Sequence, residues 1–391
     1  MKHSPGDAVA GNKDLMTDIF LRLPAKDVIR CKCVCKEWLA LISNPQFGYS
    51  HTLRFCRNNR YPRVLLLRKI SDDTGNMKVC VVPFRSNDQN TLVENNICEP
   101  VSSILQSCNG LLLCDANTPP QSTNPRTKNF EQRCSYRVIN PAINCCFNLT
   151  YNSIKPYPHF LMPFLYYEPQ ESPYYKVILF SEFSWTSQRG AVEISVYSSE
   201  TDSWTEYGVF YQGVPVKFGV YCNGFVHWFS PHKILIYFDI KKLCFNELRW
   251  TSYEFCILNV QYFGQSGGNL HLVVANPKRE LEYHIWELEK DYCGWILKYH
   301  MDLNRICEGV NLKVQYHADQ VSMCVVCQEN EEEDSAILFL SDSNDDEKIK
   351  IVSYNLNNHG SRILHELNEE YSFKALQYFE TLSRTTRFDH V

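Results

Sequence analysis

Three cysteines alternate with other residues in RLPAKDVIRCKCVCKEWLALI, residues 22–42: Cys31, Cys33 and Cys35, with Lys32 and Lys36 beside them. Thiols so closely spaced suggest a metal site, a redox relay, or small apolar side chains in a packed unit. A tetrahedral zinc site needs four converging ligands, usually from CxxC or HxxxH pairs. The nearest downstream ligands, His51 and Cys56, stand at no recognised spacing. A reactive thiolate would instead draw on Lys32 and Lys36 to lower a thiol pKa. The other close pair, Cys324 and Cys327, lies in the apolar run 321–327. Strand alternation would turn those two thiols to opposite faces. No glycine-rich phosphate loop, HExxH or GxSxG occurs. His227 and His271 fall inside apolar strands, where a hydrogen-bonded structural role is expected. The acidic stretches 329–334 and 342–347 read as solvated loops. No catalytic residue, cofactor site or metal site is assigned.

The elements that must position these groups fall into two textures. With 391 residues, the chain has room for one large repeat domain or two domains, and 44% hydrophobic residues suffice for a substantial core. A net charge of −5 argues against a surface built for nucleic acid or anionic membrane. The start MKHSPGDAVAGNKD lacks an apolar signal core, and the longest apolar runs are too short to span a bilayer. The expected compartment is therefore cytoplasmic and/or nuclear. In a reducing compartment the 18 scattered cysteines read as small buried hydrophobes.

Residues 12–44 carry helical spacing. Leu15, Met16, Ile19, Phe20 and Leu23 form one apolar stripe, with Asn12 or Asp14 able to cap its start. Pro24 stops that helix and opens a second over 25–32, with Val28 and Ile29 apolar. Cys35, Trp38, Leu39 and Ile42 define a third, which Asn44-Pro45 ends. Three helices of about 30 residues are too small to stand alone, since units below roughly 40 residues need outside support. Either the rest of the chain or another protein must cover them.

From about residue 52 the pattern changes to short β-branched or aromatic runs bounded by Gly, Pro, Asn, Asp and Ser. The only helical candidate there is 373–382. Turn-then-strand segments recur as SCNGLLLCDA (107–116), YCNGFVHWFS (221–230) and, more loosely, QSGGNLHLVV (265–274). Asn-Gly suits a type I′ turn. A second element, strand–polar turn–strand, recurs five times. It aligns Ile139, Tyr197, Phe238, Trp286 and Tyr354 at intervals of 58, 41, 48 and 68 residues. Such repeats predict a β-propeller of about six blades rather than a sandwich. The segment KPYPHFLMPFLYYEPQESPYY, 155–175, is too Pro-rich for regular strands and rich in aromatics. It is either a loop packed between blades or a recognition loop whose anchors would be Tyr157, Phe160, Phe164, Tyr166 and Tyr167.

The helical head, DLMTDIFLRLPAKDVIRCKCVCKEWLALISNPQF, resembles the F-box of plant F-box proteins. Its marks are Arg22-Leu23-Pro24, Ala25-Lys26, Val34-Cys35-Lys36-Glu37-Trp38, Leu41-Ile42-Ser43 and Pro45-x-Phe47. The usual Leu-Pro-x-Asp opening is replaced by Asn12-Lys13-Asp14. The strand region resembles the F-box-associated, kelch-like β-propeller, through SCNGLLL, YYKVILF, ISVYSSETDSW and 224–228. The resemblance implies a disordered N-terminus at 1–11, an F-box at 12–50 and a propeller at 51–385. It implies that Leu15, Ile19, Leu23, Pro24, Val28, Val34, Cys35, Trp38 and Leu41 form the F-box core and the face for a Skp-family adaptor. It further implies a non-catalytic substrate receptor of an SCF-type cullin-RING ubiquitin ligase, with an unknown target protein on the propeller; charge and hydropathy add the expectation of neither nucleic acid nor membrane as partner. The alternatives are an F-box receptor whose propeller binds a small molecule or glycan, and an adaptor-bound scaffold that does not drive degradation.

Overall fold

The computed structural model describes residues 12–58, 64–69, 78–83, 93–96, 101, 103–116, 132–153, 160–183, 191–209, 219–230, 234–249, 260–276, 278–279, 281–313, 322–327, 331–342, 345–368 and 371–385. The N-terminal segment 1–11 lies outside them. Four helices open the chain: α1 (Lys13–Phe20), α2 (Ala25–Cys31), α3 (Lys36–Ser43) and α4 (Pro45–Asn58). The fourth corrects the sequence reading. Pro45 does end α3, but it also fits the first turn of a new helix, where its missing N–H costs nothing. The boundary expected at residue 50 thus falls inside α4.

The strands that follow are antiparallel and lie in four-stranded sheets. Five sheets take four consecutive strands each. They are β4–β7 (Ser103–Cys108, Leu111–Asp115, Gln132–Asn140, Cys145–Ser153), β8–β11 (Phe160–Tyr166, Lys176–Phe183, Ala191–Ser198, Ser203–Val209) and β12–β15 (Val220–Cys222, Phe225–Ser230, Ile234–Asp239, Cys244–Arg249). Then come β16–β19 (Val260–Ser266, Asn269–Ala275, Glu282–Leu288, Trp295–Asp302) and β20–β23 (Ser322–Val326, Ser335–Asp342, Asp345–Asn355, Ser361–Asn368). The other sheet is composite, joining β24 (Tyr371–Tyr378) to β1 (Val64–Lys69), β2 (Lys78–Pro83) and β3 (Val93–Asn96) in the order β24-β1-β2-β3. Against an expectation of about six blades, the propeller has five continuous blades plus this sheet shared by the two ends of the chain.

The aligned positions Ile139, Tyr197, Phe238, Trp286 and Tyr354 each fall in the third strand of a continuous blade. The turn-then-strand copies are first hairpins. Asn109 and Gly110 have φ of 43° and 89°, and Asn223 and Gly224 have 50° and 87°, the paired positive angles a type I′ turn requires. These turns also fasten one blade to the next. The Asn109 amide (2.8 Å) and the Cys108 thiol (3.4 Å) both donate to the Tyr167 carbonyl of the following blade. Asn223 and Cys222 do the same to the Gly268 carbonyl, at 2.8 and 3.5 Å. Burial pushes both thiols up to about 12. These are structural cysteines.

The cores lie between blades. One joins Leu113, Val138 and Leu149 to Leu165, Tyr175 and Val177. Another joins Phe164, Ile178 and Phe180 to Val226, Trp228 and Phe238. Two expectations are overturned. Residues 373–378 belong to β24, because they complete a sheet edge, and the α-helix among the described residues of this region is α5 (Leu303–Gly309), capped by the Asp302 carboxylate on the Asn304 N–H. The segment 155–175 contains β8 despite Pro163. β8 ends its sheet and pairs on one side only, with β9, so the missing N–H is tolerated.

Candidate protein-docking face

The helical head separates its apolar residues by register. In α1 the Asn12 side chain accepts from the N–H groups of Asp14 and Leu15, each at 3.1 Å, which fixes the start of the helix. Met16 and Phe20, one turn apart, face inward. Leu15 and Ile19, also one turn apart, are 49% and 41% exposed. α2 buries Ala25 and Val28 completely. The backbone then turns through Val34, which is 62% exposed. Cys35 adopts extended backbone, and its sulfur accepts the Trp38 N–H at 3.5 Å, capping α3. Trp38 packs edge-on against Phe20, with centroids 4.9 Å apart, and Ile42 is buried while Leu39 stays exposed.

The residues implied by the resemblance therefore divide. Val28 is core, and Leu23, Trp38 and Leu41 pack half-buried against it. Cys35 is a helix cap. Leu15, Ile19, Val34 and Pro24 are exposed. Leu39 joins the exposed set and was missed. Its signal lay in the breadth of the α3 apolar stripe, which is too wide for one packing direction.

The cysteine cluster does not converge. Cys31 ends α2, Cys33 is exposed between helices, and Cys35 opens α3. Burial, then the nearby Asp27 carboxylate, raises the Cys31 thiol pKa. This is opposite to the activation that Lys32 and Lys36 were considered to provide. Burial and Arg384 in turn lower the Lys32 pKa. The ion pairs of Arg22 with Asp18 (2.6 Å) and Arg30 with Asp27 (3.2 Å) are largely solvated, so they contribute little.

The head rests on the propeller through α4 and residues 379–385. Leu382 enters the same cluster as Met16, Phe20, Ala25, Val28, Ile42 and Phe47. His51 holds the Leu23 carbonyl at 2.9 Å and stacks on Phe55, and burial lowers its pKa. Tyr49 donates to the Pro169 carbonyl at 2.9 Å.

The aromatic anchors expected at 157–167 are not a recognition surface where they can be followed. Phe164 is buried between Phe180 and Trp228, at 5.5 and 5.6 Å. Tyr166 is buried, with its hydroxyl on Glu171 at 2.7 Å, and Tyr167 is 2% exposed. Phe164 and Tyr166 belong to β8 and Tyr167 follows it directly, and packing between blades takes up all three, which favours the packed alternative over the recognition loop. Tyr157 and the Phe160 side chain lie outside the described residues.

The two histidines sit in buried polar networks. His227 contacts the Val220 carbonyl (3.2 Å) and the Tyr292 hydroxyl (2.7 Å). Burial lowers its pKa to about 4, against the raising effect of the Val220 contact. His271 contacts Glu287 at 3.1 Å and the Cys327 thiol at 3.5 Å, while Lys298 donates to Glu287 at 2.8 Å. Burial pushes the Glu287 carboxyl up, but the hydrogen bonds from His271 and Lys298 outweigh it and hold the pKa at about 2. Cys324 and Cys327 enter different clusters, as strand alternation required.

Comparison with known proteins matches residues 12–50 to the F-box domain and residues 75–365 to the F-box associated beta propeller domain. The chain is similar to "F-box protein At5g07610" of Arabidopsis thaliana, with 26% identity over 81% of this chain and 77% of that one. It is also similar to "F-box/kelch-repeat protein At3g23880" of the same plant, with 24% identity over 60% of this chain and 64% of the other. "F-box/kelch-repeat protein At3g17530", again from Arabidopsis thaliana, shares 28% identity over 60% of this chain and 59% of its own length.

Proposed function

This chain belongs to the F-box proteins that carry an F-box-associated β-propeller domain, and from that premise we propose that it is the substrate-recognition subunit of an SCF-type ubiquitin ligase. In this reading the F-box docks a Skp-family adaptor, and through it a cullin-RING ligase, while the propeller holds a target protein. One observation carries the reading. Of the eight large hydrophobic side chains exposed among the described residues, four (Leu15, Ile19, Val34 and Leu39) belong to the small helical unit. Burying each contributes roughly 1.5–3 kcal/mol, so three or four covered by a partner would dominate an interface. Catalysis is then positional: the receptor raises the effective concentration of target lysines near a charged conjugating enzyme.

The test is co-purification with a Skp-family adaptor. Because Trp38 packs on Phe20, its truncation would confound folding with binding, so the informative pair is Ile19→Asp and Val34→Asp. The double variant is expected to keep its helical content and lose the adaptor. Undiminished capture by a folded double variant would sink the assignment.

A further inference from the structure

Residues 381–385 run between the helical unit and the propeller, and their side chains alternate between them. Thr381, Ser383 and Thr385 are buried at 1, 2 and 1% exposure and meet the blades. Asn140, at the end of β6, donates both amide hydrogens to this segment, to the carbonyls of Thr381 (3.0 Å) and Ser383 (2.7 Å). Its Oδ1 accepts the Tyr378 hydroxyl of β24 (3.2 Å) and the Ala142 N–H (3.0 Å), so all four of its hydrogen-bonding positions are used. The Thr385 carbonyl accepts the Tyr175 hydroxyl at 3.0 Å. A Cβ at Gly110 would stand 2.0 Å from the Thr381 hydroxyl, so the first hairpin of the β4–β7 blade leaves room for the strand by omitting a side chain.

The intervening residues turn the other way. Leu382 fills the helical core, and its carbonyl lies 3.1 Å from where a Cβ at Gly48 of α4 would be. Arg384 donates to the Ser43 carbonyl at the end of α3. Ser383 also reaches across, donating to the Thr52 hydroxyl at 3.3 Å, and Lys26 of α2 pairs with Glu380 at 2.6 Å. Directly upstream, β24 completes the composite sheet. One short stretch of backbone therefore finishes both units.

We propose that residues 381–385 are a clasp that makes seating of the helical unit and closure of the propeller ring a single cooperative event, hinged on Asn140. The coupling is a property of the chain alone and holds whatever the partner. Linkage requires it to be reciprocal: loosening either side must loosen the other.

Hydrogen exchange on the full chain tests this. Asn140→Ala removes a residue whose hydrogen bonds all stay on the propeller side of the clasp or in the clasp itself. Amide protection in β24 and in α4, to which Asn140 donates no hydrogen bond among the described residues, is expected to fall together, by about tenfold or more. Arg384→Ala perturbs only the helical side and is expected to speed exchange in β24 as well as in α4. This second variant keeps the question open to refutation if Asn140→Ala does not fold. Loss of protection confined to the perturbed side, in either variant, would overturn the clasp.

Discussion

Helix α1 and strand β13 are both rich in large apolar side chains and dispose of them in opposite ways. In β13, Val226, His227 and Trp228 are all at most 1% exposed, because neighbouring blades cover both faces. In α1, Phe20 is 1% exposed while its neighbour Ile19 is 41% exposed. No large apolar side chain of β13 is exposed, whereas α1 keeps Leu15 and Ile19 outside. The difference teaches that exposure in α1 is not a failure of packing. The inward face is already filled by Trp38, Val28 and Leu382.

The sharpest way to break that contrast is truncation at its two buried centres. Phe20→Ala and Trp228→Ala are each expected to cost about 3–5 kcal/mol, read by urea unfolding. A loss below about 1 kcal/mol at Phe20 would mean the head has no core of its own. Next comes acidification. An imidazole held neutral in the fold stabilises it fully above the ordinary pKa of about 6.5, and that stability drains as pH falls toward the folded value. With His227 at about 4, the loss should reach about 3 kcal/mol between pH 6.5 and 4. His51 and His365, also lowered by burial, act in the same direction. Glu287 adds a further loss between about 4.5 and 2. Melting curves across this range should flatten in His227→Gln, and an unchanged slope would refute the role of His227.

Smaller effects should follow at the turns. Asn109→Ala and Asn223→Ala each lose a staple between blades and place alanine at positive φ, for about 1–3 kcal/mol. The half-buried Asn109 should lose more than the exposed Asn223, and equal losses would show that the backbone strain dominates. Smallest of all, Ile19→Asp is expected to move stability by no more than about 0.5 kcal/mol. A large loss there would turn the exposed face into a part of the core and erase the comparison.

Much of this architecture was legible from periodicity. The i, i+4 pairs of α1 announced a helix, and five aligned strand–turn–strand copies proved to be the outer hairpins of five continuous blades. Asn-Gly at 109–110 and 223–224 announced turns because only special backbone angles suit that pair. What failed had no local signature. The composite sheet unites strands from opposite ends of the chain, so no repeat marks it. β8 was read as a loop because Pro163 speaks against strands, and its place at the end of a sheet is a tertiary fact. One member of the helical core, Leu382, comes from the far end of the sequence, which no window around residue 20 contains. His271 and Glu287 pair across strands of one blade, with Cys327 arriving from the next.

Vectorial synthesis gives Leu382 a further meaning. Phe20 and Leu382 are 362 residues apart (382 − 20), so at about 5–20 residues per second the helices wait roughly 20–70 s on the ribosome for a core residue. During that interval the nascent helices expose Phe20's neighbourhood as well as the outer face, and β1 through β3 lack the strand that completes their sheet. A chain that stops before residue 382 therefore lacks both a residue of the helical core and part of the segment that Asn140 holds, so both units are incomplete at once.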